Sequence, residues 1–271
     1  MRVLSFAASA VMICSSFFSP AAASALQPTT NWAVDYGETQ CAAARSFGSA
    51  SDPITFAIVP SINGEIYRLI VNRQRQGPNY AEEAPATIRL GDAAIKTWLL
   101  HFGKKGIKSS NYEFHLSAAQ IQKARSAASI HLEADGGQSY EFALSEMQAL
   151  LDALATCTAD LQQYWNYGQR TTLADTKTPK GDLRALFSAD DYPSEALRRS
   201  QGGTAQYQLL INENGEVAGC DLIVQSGVPV IDSMGCQVLK ERGKFTPAVN
   251  KNGKAERSVV TTPPIVWRTY P

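Results

Sequence analysis

The chain has few of the residues, and none of the motifs, by which enzymes, metalloproteins and nucleic-acid-binding proteins are usually recognised. Its 271 residues balance 25 Lys and Arg against 25 Asp and Glu, so it lacks the basic excess that nucleic-acid binding requires. It has three histidines, and none stands at a metal-ligand spacing with cysteine or acidic residues. No Gly-x-Ser-x-Gly elbow and no phosphate-binding glycine loop occurs. We therefore predict a non-enzymatic protein with no catalytic, cofactor-binding or metal-binding residues and no nucleic-acid partner.

The titratable residues that are present are interpreted as structural or solvated groups. His101, His115 and His131 lie in strand-like runs, where His115 and His131 could meet across a sheet. The acidic pairs Glu82-Glu83 and Asp190-Asp191 sit in loop-like sequence, where we expect solvated charge. The alternative is a hydrolase or inhibitor activity in the N-terminal half, which three histidines clustered in a polar pocket would favour.

The one long apolar run stands at the N-terminus. Met1 and Arg2 precede an apolar stretch over residues 3–18, and an Ala-x-Ala site ends at Ala25. This pattern predicts a signal peptide over residues 1–25, cleaved after Ala25 or Ala23, and hence a periplasmic protein. The run is shorter than the roughly 20 residues that a spanning helix needs, and no later stretch could span a membrane. The alternative is a retained leader helix that anchors the protein in the inner membrane.

Four cysteines remain after the leader, which carries Cys14, is removed. An even number in an exported chain predicts disulfides, and four cysteines allow three pairings. The pairing Cys41 with Cys157 and Cys220 with Cys236 keeps each bridge within one predicted domain. Two buried free thiols at positions 220 and 236 are the alternative.

The rest of the chain predicts an α+β protein with two domains. Residues 26–166 show short alternating runs with hairpin signals at residues 62–65 and 135–137, followed by a helical stripe from Met147 to Leu161. This pattern predicts an N-terminal antiparallel-sheet domain of unknown function that ends in a helix. Residues 167–190 are polar and weakly patterned, which is typical of a linker or a short docking segment. Residues 191–271 form the second domain.

The second domain is predicted as a small α/β unit with two helices and a three-stranded antiparallel sheet. A short charged segment at residues 194–199 gives the first helix. Alternating runs at 204–211 and 216–226 flank the Asn214-Gly215 turn, and Pro229 opens a second helix that ends at Arg242. Because neither layer can bury its apolar face alone, the helix should cover the sheet.

The order of short motifs in this part of the chain resembles the C-terminal domain of the TonB energy-transducer family over about residues 190–268. The matching positions are Tyr192-Pro193, Gly215 to Val217, Ser226-Gly227, Ile231-Asp232, Phe245 to Ala248, Gly253 and Trp267. Many members of that family also carry one cysteine in the second strand and one in the helix. The resemblance implies a module that grips outer-membrane receptors, in which an extended segment of the receptor joins the sheet as an added strand.

The strand that such a partner would join is predicted in the closing run. The candidate edge residues are Glu256, Arg257, Ser258, Val259, Val260, Thr261 and Thr262. An ordinary edge strand, blunted by Pro263-Pro264, is the alternative. The chain departs from energy transducers because its apolar leader has no histidine, and a folded domain replaces their Pro- and Lys-rich spacer. The leading prediction is therefore a periplasmic binding protein with a possible link to outer-membrane transport, and a membrane-anchored transducer is the alternative.

Overall fold

The computed structural model describes residues 25–104, 106–168 and 181–269. The signal-peptide prediction falls on residues 1–25, of which 1–24 lie outside the described residues. Among the helices of the described residues, none is both long and apolar enough to cross a membrane. The N-terminal region comprises residues 25–168, and the C-terminal region comprises residues 181–269.

The N-terminal region is built on a nine-stranded antiparallel sheet in the order β1-β2-β3-β4-β7-β6-β5-β8-β9. The strands are β1 (Ala33–Tyr36), β2 (Cys41–Ser49), β3 (Asp52–Pro60), β4 (Ile66–Arg73), β5 (Glu82–Leu90), β6 (Ala93–Lys104), β7 (Ile107–Ser117), β8 (Ser129–Ala134) and β9 (Gln138–Ala143). A short helix, α1 (Ala118–Ile121), follows β7 and begins at the capping box of Ser117 and Gln120. The predicted antiparallel sheet is confirmed.

The two ends of this sheet are joined by the segment that precedes β1. The Leu26 N–H donates to the Glu141 carbonyl on β9 (2.7 Å), and the Thr29 N–H donates to the Ser46 carbonyl on β2 (2.8 Å). Inside, Phe142 of β9 stacks on Phe56 of β3 with ring centroids 4.8 Å apart. The sheet therefore curves into a ring around an apolar interior, and its edges are closed by backbone hydrogen bonds.

Helix α2 (Met147–Tyr164) closes the region and buries the predicted stripe. Its buried residues include Leu150, Leu154 and Leu161. A disulfide between Cys41 on β2 and Cys157 on α2, with an S–S distance of 1.97 Å, confirms the predicted pairing. The indole N–H of Trp165 donates to the Glu38 carbonyl (2.6 Å) and holds the end of the helix.

The C-terminal region confirms the predicted helix over an antiparallel sheet. Its elements are α3 (Ser194–Arg198), β10 (Gly203–Ile211), β11 (Val217–Val224), α4 (Pro229–Arg242), β12 (Ala248–Val249), β13 (Ala255–Glu256), β14 (Ser258–Thr261) and β15 (Ile265–Trp267). β10 pairs with β11 on one side and with β14 and β15 on the other. The sheet thus has four strands instead of three, because Pro263-Pro264 lack backbone N–H groups and split the last strand in two.

The packing of α4 on the sheet depends on a disulfide and a glycine. The Cys220–Cys236 bridge, with an S–S distance of 2.00 Å, joins β11 to α4 as predicted. Tyr207 lies fully buried beneath the helix, and its hydroxyl donates to the Asp232 carbonyl (3.1 Å). A Cβ at Gly235 would collide with this tyrosine ring, so only glycine allows the close approach.

In each acidic pair the second residue was wrongly interpreted as solvated charge, whereas Glu82 and Asp190 are exposed. Glu82 and Glu83 begin β5, a strand that sequence patterning missed, and the Glu83 side chain is fully buried. Asp191 is also buried, and its carboxylate forms a bidentate salt bridge with the Arg242 guanidinium (2.7 and 2.8 Å). The Arg242 hydrogen bond lowers the pKa of Asp191, and burial opposes this shift. Each carboxylate is buried because a distant segment supplies its partner.

The predicted linker over residues 167–190 is described only in part, since residues 169–180 lie outside the described residues. Its last part forms short 3-10 turns at Arg184–Leu186 and Ala189–Asp191. Leu186 and Phe187 pack against the core beneath α4. The domain boundaries at 166 and 190 stay predictions.

Replacing each disulfide by two alanines should lower the free energy of unfolding, and the effect should follow loop length. The chain-entropy relation gives about 3 kcal/mol for Cys220→Ala with Cys236→Ala and about 4 to 5 kcal/mol for Cys41→Ala with Cys157→Ala. Urea unfolding of the two double variants measures both values. A larger loss from the Cys220–Cys236 pair would contradict the loop-length account.

Candidate functional site

Both faces of the C-terminal sheet are covered. Cys220 points toward α4, so its neighbours on β11 and the alternate residues of β10 point the other way. On that second face Leu210 joins the apolar core of the N-terminal region. The Asp221 carboxylate accepts the Ile62 N–H (2.6 Å), and the Gln208 amide donates to the Tyr167 hydroxyl (3.3 Å). A partner therefore has no open face to bind, and the edges of the sheet are what remains.

The start of α4 is also fixed to the N-terminal region. The buried Glu83 carboxylate of β5 accepts the Val230 N–H in the first turn of α4 (3.3 Å) and the Gln201 amide (3.2 Å). A carboxylate at this end satisfies a free helix N–H and complements the positive end of the helix dipole. Leu100 of β6 packs in the same cluster as Val230 and Ile231.

Two further carboxylates are buried where the N-terminal and C-terminal regions meet, and burial raises the pKa of both. Burial raises the pKa of Asp232, in the first turn of α4, to about 6, although the Ser226 N–H donates to this carboxylate. Burial likewise raises the pKa of Asp221, and the backbone hydrogen bond from Ile62 opposes this shift. For both carboxylates the hydrogen bond from a backbone N–H lowers the pKa by less than desolvation raises it.

The β14 side of the sheet presents open backbone groups. The Thr262 N–H donates to the Tyr207 carbonyl (2.9 Å), and in an antiparallel ladder such hydrogen-bonded pairs alternate. Val259 and Thr261 therefore direct their N–H and C=O groups away from β10. Arg257 is two residues before Val259, so its backbone groups also point away from β10. Its carbonyl accepts a hydrogen bond from the Asn166 side-chain amide (2.8 Å). Among the residues that the structure describes, no strand pairs with the outer side of β14.

The seven predicted edge residues divide between two strands, and Arg257 and Thr262 lie outside both. Glu256 belongs to β13 and pairs with Ala248 of β12, and Arg257 follows it. Residues Ser258–Thr261 form β14, and Thr262 ends the pairing with β10. Ser258 and Thr262 are buried, whereas the Thr261 side chain is exposed. The open backbone groups of this edge thus lie in the short run that contains Val259 and Thr261.

A groove of about 310 Å³ lies beside β15, in line with this edge. Its walls include Tyr192, Trp267 and Phe187, and the rings of Tyr192 and Phe187 each meet the Trp267 ring edge-on with centroids 5.6 Å apart. Val266 of β15 also lines the groove and is 52% exposed. The sequence marked Tyr192 and Trp267 as separate motif positions, but did not indicate that they form one groove.

Residues 188–269 match the family model described as Gram-negative bacterial TonB protein C-terminal. This segment of the C-terminal region is similar to a TonB C-terminal domain. The resemblance predicted for about residues 190–268 is confirmed, and the match covers 82 residues (269 − 188 + 1) of the 271. No curated protein matches the chain. The nine-stranded sheet that covers the second face of the TonB C-terminal domain lies outside the matched segment.

The three histidines do not form one site. His115 is on β7 and His131 on β8, and β6 and β5 lie between those strands, so the predicted meeting across the sheet is wrong. His101 stacks on Tyr112 with centroids 4.3 Å apart and contacts the Ser110 hydroxyl (2.9 Å). Burial lowers the pKa of His101, and nearby Glu82 opposes this shift. Among the described residues, no group of three His, Cys, Asp or Glu side chains could hold a metal ion.

Asp232→Asn should stabilise the protein near neutral pH and have little effect under acidic conditions. With a folded-state pKa of about 6 and an ordinary value of 3.8, the native state binds more protons than the unfolded chain between these values. The free energy of unfolding therefore falls as pH rises through this window, and an amide avoids that loss. We expect a gain of about 1 to 3 kcal/mol at neutral pH.

Urea unfolding of both proteins at about pH 4 and about pH 7.5 measures this difference. The exposed Asp92→Asn is the matched control, and it should change the unfolding free energy little at either pH. An Asp232→Asn protein that is less stable than the wild type at neutral pH would show that the charge is needed at the junction.

Proposed function

We propose that this protein is a non-enzymatic periplasmic protein whose TonB C-terminal domain binds another envelope protein, such as an outer-membrane receptor, by strand addition at β14. The family match supports an envelope-associated role. The observation that carries the proposal is the outward direction of the N–H and C=O groups of Val259 and Thr261. Main-chain pairing at this edge would supply affinity, and the neighbouring groove would select side chains.

The covered faces support the same mode of binding. With α4 on one face and the N-terminal region on the other, an approaching segment meets the sheet at its edge. The Tyr192, Phe187 and Trp267 rings beside β15 would receive an apolar side chain of the partner. The edge of this domain is short, so we infer a regulated or weak association instead of a permanent one.

Thr261→Pro tests the proposal because it removes one outward N–H and leaves the β10 ladder intact. Proline is tolerated at an edge position whose N–H faces solvent. Leaving a partner carbonyl unpaired costs about 1 to 3 kcal/mol, so we expect about a tenfold or greater loss of partner binding. The measurement uses the immobilised full chain and detergent-solubilised outer-membrane proteins, with bound proteins quantified by mass spectrometry.

Thr261→Ala is the matched control, since it removes the same exposed side chain and keeps the N–H. Strand addition requires that partners retained by the wild type are also retained by Thr261→Ala and are lost with Thr261→Pro. Equal retention by all three proteins would contradict pairing at β14.

The alternative is a transducer anchored in the inner membrane by a retained leader. We favour export and cleavage because a folded sheet occupies the part of the chain where a transducer has its spacer. The mass of the protein purified from cells should therefore correspond to a chain that begins at residue 26 or 24. A protein that keeps residue 1 and fractionates with the inner membrane would support the transducer instead.

A further inference from the structure

A second concave site lies between the N-terminal sheet and the TonB C-terminal domain, away from the β14 edge. It is a cleft of about 540 Å³, within the range of about 300 to 1,000 Å³ that is usual for small-ligand sites. Its walls include Lys96, Trp98, His115, Gln120 and Gln225. Because Gln225 belongs to the C-terminal region and the other four to the N-terminal region, the cleft exists only where the two regions dock.

Trp98 supplies a flat apolar surface in a cleft whose walls combine polar side chains with Ile66, Leu116 and Ile223. It lies on β6 between Thr97 and the buried Leu99, and it remains 37% exposed even though both regions surround it. The ring borders the cleft and the smaller cavity that continues toward Asp232. An exposed aromatic ring in a concave site with both polar and apolar walls is suited to a ligand that has an apolar face and polar edges.

His115 is held in place by groups from both regions. Its Nε2 lies 2.8 Å from the Glu113 carboxylate, and its Nδ1 lies 2.7 Å from the Gln225 amide nitrogen. Glu113 also faces the Arg68 guanidinium (3.8 Å), so the acidic charge in this wall is compensated. A ring fixed at both nitrogens keeps the cleft in one shape before any ligand enters.

The remaining polar groups at the cleft offer hydrogen bonds without a concentrated charge. The Lys96 ammonium donates to the Thr87 hydroxyl (3.0 Å), and an ammonium carries three donors in all. Gln120 and Gln225 contribute amide groups. A single lysine among amides is poorly suited to a phosphate or nucleotide, which calls for several cations or a row of backbone N–H groups.

We propose that this cleft binds a neutral oligosaccharide. A pyranose ring has an apolar C–H face that can lie on the Trp98 indole, and its hydroxyl groups can bond to Gln120, Gln225 and Lys96. This site is independent of strand addition at β14. Its residues from the C-terminal region lie at the end of β11, and β11 and β14 are at opposite edges of the sheet.

Binding is measured by calorimetry and by tryptophan fluorescence of the full chain, with N-acetylglucosamine oligomers and maltose oligomers as probes. We expect saturable binding of at least one series, and Trp98→Ala should weaken it by about tenfold or more. Trp98→Tyr should keep part of the affinity, because it retains a ring for stacking. Circular dichroism shows that each variant is folded.

Tyr80→Ala is the matched control, since Tyr80 is 82% exposed and does not line the cleft. It should bind the same oligomers as the wild type does. Absence of saturable binding by both series, or binding that Trp98→Ala leaves unchanged, would overturn the proposal. Neither result would bear on the Thr261→Pro experiment.

Discussion

The structure depends on the burial of both faces of the small C-terminal sheet. A sheet of this size that is covered only by α4 would expose Leu210 and Val259, which instead pack against the N-terminal core. Two hydrogen bonds fix the position of one region on the other: the Ile62 N–H donates to Asp221, and the Val230 N–H donates to Glu83. Each is a buried carboxylate with a backbone partner, so separating the regions would exchange these hydrogen bonds for hydrogen bonds to water.

This constraint links the fold to both proposed sites. Covering the faces leaves the edges of the sheet, β14 among them, for backbone hydrogen bonds to a partner. The same contact between the regions forms the wall of the cleft beside Trp98. In a transducer with a long spacer, the domain would be free to move over large distances. Here the Cys220–Cys236 bridge fixes α4 to the sheet, and the N-terminal region fixes both. The position of α4 is therefore set by contacts with the N-terminal region.

Sequence reasoning succeeded where the determining interactions are local. The Asn214-Gly215 turn and the helix that begins at Pro229 follow from backbone preferences of a few residues, and both are present. The disulfides were predictable because each pairing joins elements of one predicted unit. β5 was missed because two glutamates and Pro85 obscure its alternation. The burial of Glu83 depends on Val230, 147 residues away, and no local pattern contains that information.

Residue-resolved amide hydrogen exchange of the full chain tests the central claim most directly. If both faces are covered and the β14 edge is open, the amides of Val259 and Thr261 should exchange rapidly. The amides of Ile62 and Val230, which donate to Asp221 and Glu83, should be protected as strongly as the Leu209 amide in the middle of the sheet. Rapid exchange at Ile62 and Val230 together with protection at Val259 and Thr261 would contradict the account.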